Sequence, residues 1–283
     1  MKTLRDKVVV ITGAGSGIGR GLAVHAAREG ALLALSDWNE DGLRETARLA
    51  QAKETVTRKV DVRSDDEVTA FAAQVADELG GANVIVNNAG VSLTDVVGSM
   101  KRSDFEWLMD INFWGVVRGT EAFLPQLRAK DDAHIVNISS VFGLIGVPSQ
   151  SAYNAAKFAV RGYTESLRQE LHETSVHVTC VHPGGVKTNI VRNGRNLTDL
   201  NGAKTDTVTL AREFDVMAKT SPEEAARIIW TGVLENAPRV LVGADARFID
   251  LVQRMLPTGY QTVFRVLRKR LEKRVALAAR RTT

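Results

Sequence analysis

Lys7-Val8-Val9-Val10-Ile11-Thr12-Gly13-Ala14-Gly15-Ser16-Gly17-Ile18-Gly19 opens a helical pattern carried by Leu22, Ala23, Ala26 and Ala27. A β-branched apolar run, a glycine-rich turn and an amphipathic stretch in immediate succession predict strand, turn and helix. Glycines at such a turn let backbone N–H groups approach an anion, and the orphan donors and dipole of the helix N-terminus favour negative charge there. The spacing is G-x-x-x-G-x-G, from Gly13, Gly17 and Gly19, rather than G-x-G-x-x-G. A plain glycine-rich β-turn would explain the glycines alone. The strand before and the helix after favour a pyrophosphate cradle formed by Gly13, Ser16, Gly17, Ile18 and Gly19.

Outward from this turn the alternation repeats. Leu32 to Leu35 reads as a strand ending in Ser36-Asp37, where a dinucleotide fold places the group that meets the adenosine ribose. A carboxylate at Asp37 accepts hydrogen bonds from ribose hydroxyls and repels a 2′-phosphate, so NAD is expected ahead of NADP, with Arg20 and Arg44 as the cations that could weaken the preference. Asp37 could equally cap the helix expected near residues 40 to 52. Further strands are read at Thr55 to Val60, ending in Asp61-Val62, at Val84 to Val86, running into Asn87-Asn88-Ala89-Gly90, and at His134 to Ile138, ending in Ser139-Ser140. A last one, His177 to His182, leads into Pro183-Gly184-Gly185-Val186-Lys187-Thr188. Helices are read between them, at Glu67 to Leu79 and at Phe105 to Val117. Apolar strands alternating with helices predict an α/β fold with a doubly wound parallel sheet, whose ligand crevice lies at the carboxyl ends of the strands. The glycines, Asp37, Asp61-Val62 and Asn88 to Gly90 all fall at such ends.

Tyr153-Asn154-Ala155-Ala156-Lys157 lies in a long breaker-free stretch, and on a helix positions i and i+4 share a face. A cation beside a phenol favours the phenolate and draws its pKa down towards a working range. Asn112 stands among apolar neighbours, where a buried amide serves either as a backbone clamp or in a polar path.

Taken together, Thr12-Gly13 with Gly17 and Gly19, Asp61-Val62, Asn87 to Gly90, Asn112, Ser140, Tyr153 with Lys157, and Pro183-Gly184 resemble the short-chain dehydrogenase/reductase family in order and spacing, over about residues 5 to 250. The resemblance implies a single Rossmann-type domain with about seven strands. It implies Tyr153 as acid/base, Ser140 as holder of the substrate oxygen and Lys157 as the group that binds the nicotinamide ribose and tunes Tyr153. It further implies Asn112 as support for a water in the proton path and Thr188 as a contact of the nicotinamide carboxamide. The cofactor-binding set expected from motif and resemblance is Gly13, Ser16, Gly17, Ile18, Gly19, Asp37, Asp61, Val62, Asn88, Ala89, Gly90, Tyr153, Lys157, Pro183, Gly184, Val186 and Thr188. The activity implied is hydride transfer between NAD(H) and a secondary alcohol or ketone. A non-catalytic NAD-binding regulator or scaffold is the rival, and the joint presence of Ser140, Tyr153 and Lys157 speaks against it.

Val91, Leu93, Val141, Phe142, Leu144, Ile145 and Val147 are candidate pocket walls for a hydrophobic or bulky substrate, although part of this set could be ordinary core. No metal site is expected, because the five histidines show no ligand spacing with cysteines or carboxylates. With 283 residues, 44% hydrophobic and 25% charged, and with no linker-like stretch, the chain reads as one soluble domain over residues 1–261, with residues 189–218 as a polar lid. A single cysteine, Cys180, excludes an internal disulfide. No signal-peptide core or bilayer-length apolar run is found, so a cytoplasmic protein is expected. The tail at 262–283 holds eight Lys/Arg and one Glu and carries an apolar stripe of Phe264, Leu267, Leu271, Val275 and Ala278 at helical spacing. Packing in a homodimer or homotetramer, or on its own domain, is the first expectation for this tail; contact with an anionic membrane surface comes second, and nucleic acid is not expected as a partner.

Overall fold

The computed structural model describes residues 1–199 and 202–266. Its centre is a seven-stranded sheet of Val8–Thr12 (β1), Leu32–Asp37 (β2), Thr55–Lys59 (β3), Val84–Asn87 (β4), Ala133–Ile138 (β6), Val176–Pro183 (β7) and Arg239–Val242 (β9). The order is β3-β2-β1-β4-β6-β7-β9, and every pairing within it is parallel. Two short strands, Leu93–Thr94 (β5) and Arg195–Asn196 (β8), form a separate parallel pair. Strand order reverses at β1, whose neighbours are β2 on one side and β4 on the other, and the crevice that opens at this reversal receives the glycine turn.

Both faces of the sheet are covered, which is why its strands are apolar throughout rather than alternating. Val9 and Ile11 face a core shared with Gly17–Arg28 (α1) and Pro222–Leu234 (α8), where Trp230 is buried and donates its Nε1–H to the Leu22 carbonyl at 3.1 Å. Val8 and Val10 face the opposite core, with Phe71 of Asp65–Leu79 (α3), Phe123 and Leu127 of Gly115–Arg128 (α5), and Leu167 of Ser151–Glu170 (α6). Glu40–Ala50 (α2) starts at an Asn39 cap whose Oδ1 accepts from Gly42 N at 3.1 Å. The cap weighed as an alternative role for Asp37 therefore belongs to Asn39.

Three other readings change. The helix expected at Phe105 to Val117 starts earlier and continues further: Arg102–Met109 (α4) passes through a π-helical turn, Asp110–Trp114, into α5. Strand β9, only four residues long, follows what was read as the last strand and forms the edge of the sheet. The stretch read as a polar, irregular lid with an amphipathic piece near Leu210 to Met217 is more regular than that: it contains β8 and the helix Thr207–Met217 (α7), which takes in the amphipathic piece. Its residues 200 and 201 lie outside the described part, as do residues 267–283 of the tail. No helix among the described residues is long and apolar enough to cross a membrane.

Candidate active site

The turn after β1 is held in shape by Asn88, which follows β4. Asn88 Nδ2 donates to the carbonyls of Thr12 and Gly13 at 3.0 and 2.9 Å, and Thr12 Oγ1 accepts from the amides of Asn88 and Ala89, each at 3.1 Å. Gly13 sits at φ 64° and Gly17 at φ 52°, conformations that favour glycine. A Cβ on Gly19 would come within 2.2 Å of the Gly13 carbonyl, and one on Gly17 within 2.9 Å of the Thr188 methyl. Thus Gly13, Gly17, Gly19, Asn88, Ala89 and Thr188 lie together. Asn88 acts here on the turn itself rather than pointing free for a ligand. Ser16 precedes α1 in extended conformation and its side chain does not cap the helix.

Asp37 ends β2 and lies against the same turn, where Oδ2 accepts from Gly15 N at 2.8 Å and Oδ1 from Asn39 N at 2.9 Å. Arg20 donates to Thr46 Oγ1 at 3.0 Å and to the Gly15 carbonyl at 2.5 Å, while Arg44 pairs with Asp41 on the surface. Asp61 is bound by Arg63, whose hydrogen bonds hold its carboxyl below the usual range. Val62 is buried and packs against Gly115, where a Cβ would meet its Cγ2 at 2.9 Å.

Helix α6 carries Tyr153 and Lys157 on one buried face. Lys157 Nζ lies 5.7 Å from the phenol ring centroid and donates to the Ile138 carbonyl at 2.9 Å. A Cβ on Gly90 would stand 3.7 Å from this ammonium, which places the end of β4 beside it. Ser140 follows β6: its Oγ accepts from Phe142 N at 3.1 Å, and its carbonyl accepts from Gly143 N at 2.9 Å and pairs with His182 Nδ1 at 2.9 Å. Burial pushes the Tyr153 phenol up to about 12, with a hydrogen bond to Ser140 pulling the other way. Burial likewise pulls the Lys157 ammonium down to about 8. The expectation of a phenol pKa lowered by its lysine is therefore not met: burial raises it, and the hydrogen bond to Ser140 is what opposes the rise.

Asn112 is fully buried on the π-helical turn and clamps one residue from both sides, accepting from Val91 N at 2.8 Å and donating to the Val91 carbonyl at 2.9 Å. Of the two uses of a buried amide weighed from the sequence, the clamp is the one its side chain makes. After β7, Gly184 N donates to the Val242 carbonyl at 3.0 Å, and Gly185 N donates to Asp245 Oδ2 at 2.6 Å. Pro183 and Val186 are buried, with Val186 bridged to Thr220. Among the wall candidates Leu93, Val141, Leu144 and Ile145 are core, and Val91, Phe142 and Val147 remain half-buried. Phe142 meets the Tyr153 ring edge-on at 5.8 Å.

Sequence reading missed four supporting residues. Asn154 pins the wall segment by accepting from Val147 N at 3.0 Å and donating to the carbonyls of Phe142 and Ile145 at 2.8 and 2.7 Å. Tyr260 returns from the C-terminal side to accept from Gly146 N at 2.9 Å. His182 braces Ser140, and burial lowers its pKa to about 4, so it is neutral in ordinary conditions. Asp245 holds the loop after β7. Only Asn154, one residue from Tyr153, carried a local signal; the others act across long sequence separations. The first half of the segment at 189–218 is tied down by contacts of its own. Ser92 Oγ donates to the Ile190 carbonyl at 2.9 Å, and Arg195 pairs with Asp104 at 2.5 Å while stacking 3.8 Å from the Trp107 ring. Among the described residues no group of three His, Cys, Asp or Glu is placed to hold a metal ion.

Residues 7–198 match the family described as short chain dehydrogenase. SadH of Mycobacterium tuberculosis, named as an oxidoreductase, is 48% identical over 266 residues, covering 92% of this chain and 95% of its own. Estradiol 17-beta-dehydrogenase 11 of Macaca fascicularis is 29% identical and covers 93% and 84%. A short chain dehydrogenase/reductase from Burkholderia phymatum, solved in complex with NAD, superposes with a TM-score of 0.81 at 29% identity over 90% of this chain and 95% of that one. Levodione reductase gives a TM-score of 0.76 at 28% identity over 87% and 98%. With a glycine turn, a Ser140–Tyr153–Lys157 cluster and a matching family sequence over most of its length, this chain belongs to the short-chain dehydrogenase family of oxidoreductases.

Proposed function

We propose that the protein is an NAD-dependent oxidoreductase that interconverts a secondary alcohol and its ketone, and that its substrate is hydrophobic or bulky. The observation that carries the reading is the placement of Tyr153, Ser140 and the buried Lys157 at the carboxyl ends of the strands that also present the glycine turn. The residues present suit a dinucleotide. The cradle at Gly13, Ser16, Gly17, Ile18 and Gly19 would hold its pyrophosphate, and Asp37 would accept from its adenosine ribose. Asp61 and Val62 would flank the adenine. Ala89, Gly90, Lys157 and the segment Pro183, Gly184, Val186 and Thr188 would surround its nicotinamide half. Bound there, the nicotinamide accepts or supplies the hydride.

The chain's own residues do the rest. Tyr153 moves the proton of the substrate hydroxyl, Ser140 orients the oxygen and supports its developing charge, and the Lys157 ammonium favours the phenolate as it forms. Val91, Phe142 and Val147 offer an apolar rim and exclude water. Asn112, by fixing Val91, would hold the strand end beside Lys157 in register, and a water in the proton path is proposed for its neighbourhood. NAD is favoured over NADP because Asp37 repels a 2′-phosphate and both nearby arginines, Arg20 and Arg44, are already engaged. The resemblance to the NAD-bound Burkholderia protein supports the same choice. The test is a panel of secondary alcohols with NAD, read at the NADH absorbance, for the wild type and Tyr153→Phe. The variant should lose turnover by about a thousandfold or more while still binding NAD; retained turnover would remove Tyr153 from the mechanism.

A further inference from the structure

The helix Ala244–Met255 (α9), near the C-terminal end of the described residues, is amphipathic in the opposite sense to a helix packed on its own domain. The side facing the protein carries Ala246 and the buried Asp250, which is paired with Arg239 at 3.0 Å and Arg254 at 2.8 Å. The outer side carries Phe248, Leu251 and Met255, which are 51%, 59% and 72% exposed, and Leu256 continues the stripe at 45%. At 100° per residue Phe248, Leu251 and Met255 fall within a narrow arc, with Arg247 and Arg254 along one edge of it. Arg265, also exposed, follows on the same C-terminal segment, and residues 267–283 add seven Lys/Arg against one Glu. Tyr260 ties this segment to Gly146 in the candidate substrate wall.

We infer that the outer face of α9 docks on an anionic lipid surface, with Phe248, Leu251, Met255 and Leu256 entering the boundary of the acyl chains and the arginines meeting lipid headgroups. Charge complementarity selects this occupant. An apolar stripe flanked by cations suits an interfacial helix, and clustered Lys/Arg beside it strengthens attachment to anionic headgroups. A second copy of the chain, joined about a two-fold axis through this face, would bring the same arginines against one another. The sequence alone places packing on a subunit or on its own domain ahead of membrane contact for the tail, because its stripe is narrow, contains no Trp and ends in small residues rather than deep anchors. Phe248, Leu251 and Met255 supply such anchors immediately before it, and the order reverses.

Sedimentation of the full chain with vesicles of phosphatidylcholine containing about one-third phosphatidylserine, beside vesicles of phosphatidylcholine alone, reads binding independently of turnover. The expected result is binding to the anionic vesicles, at least about tenfold weaker to the neutral ones and released by salt, and lost in Leu251→Glu/Met255→Glu. The double variant changes exposed residues and should keep its fold and its activity on a small soluble alcohol. Equal recovery of wild type and variant on anionic vesicles would overturn the inference, as would no binding by either. A fall in the variant's mass by light scattering, with vesicle binding unchanged, would assign the face to a second copy instead.

Discussion

Lys157 holds an ammonium where water hardly reaches, with the Ile138 carbonyl as its hydrogen-bond partner. Its pKa is drawn from 10.5 to about 8, so between those values the unfolded chain binds a proton that the folded chain does not, and this residue makes stability rise with pH across that window. The Tyr153 phenol shifts the opposite way, from 10.0 to about 12, and lowers stability as pH climbs through that higher range. A residue kept at such cost points to function. Lys157→Met should abolish turnover yet leave thermal stability unchanged or raised by about 1–2 kcal/mol, as replacement of a buried charge by an apolar group of similar length often does. A marked drop in Tm together with retained activity would refute the assignment. Ketone reduction, which needs the protonated phenol, should hold its rate through neutral pH, whereas alcohol oxidation should climb towards alkaline pH; parallel profiles in the two directions would count against Tyr153 as the proton carrier. The i, i+4 pair was legible in the sequence because helix geometry alone brings it together. The direction of its pKa shifts was not, since burial depends on neighbours that no local spacing reveals.

At the scale of elements, the run from α4 through the π-helical turn to α5 explains both a success and a failure of sequence reading. Asn112 stood out as a polar residue in an apolar stretch, and its clamp on Val91 bears this out. The end of the helix was misjudged because Gly115, Gly119 and Pro125 all weaken helical pattern, and the reasons for those glycines lie elsewhere in the fold. A Cβ on Gly119 would come 2.1 Å from Oδ1 of Asn87, a buried residue whose Nδ2 donates to Thr120 Oγ1 and Asn137 Oδ1. Helix propensity predicts that Gly119→Ala would stabilise by up to about 1 kcal/mol. Steric conflict with a buried amide outweighs this gain, and the expected result is a loss of about 1–3 kcal/mol in denaturant unfolding. The C-terminal arm offers a second case. Tyr260→Phe removes the acceptor of Gly146 N, an interaction of about 1 kcal/mol. We expect its effect to fall on KM for the bulkier alcohols more than on kcat, and an equal effect on all substrates would mean that the contact serves stability alone.

The whole molecule assembles its site from segments far apart in the chain, and the strand order decides which of them meet. The parallel sheet and the crevice at the reversal beside β1 were legible, because alternating apolar strands and helices leave few topologies open. Strand β9 was not, since four residues between two helices give little periodicity, although its pairing with β7 sets the position of Gly184. The same assembly makes cofactor binding a global event. The turn after β1, Asp37 after β2, the end of β4, Lys157 on α6 and Thr188 after β7 would all contact one dinucleotide, so a ligand bound only by the native fold must stabilise the entire sheet. At a concentration about a hundredfold above Kd this amounts to about 2.7 kcal/mol, a rise in Tm on the order of 5 °C for a chain of this size. NAD should give this shift and NADP a clearly smaller one, because the Asp37 carboxylate, held in place by the Gly15 and Asn39 amides, repels a 2′-phosphate while Arg20 and Arg44 are engaged elsewhere. Asp37→Ser removes the repulsion and should bring the two shifts together. If NADP stabilised the wild type as well as NAD, or if the substitution left the difference intact, the discrimination would have to reside outside Asp37, with Arg20 released from Thr46 as the first place to look.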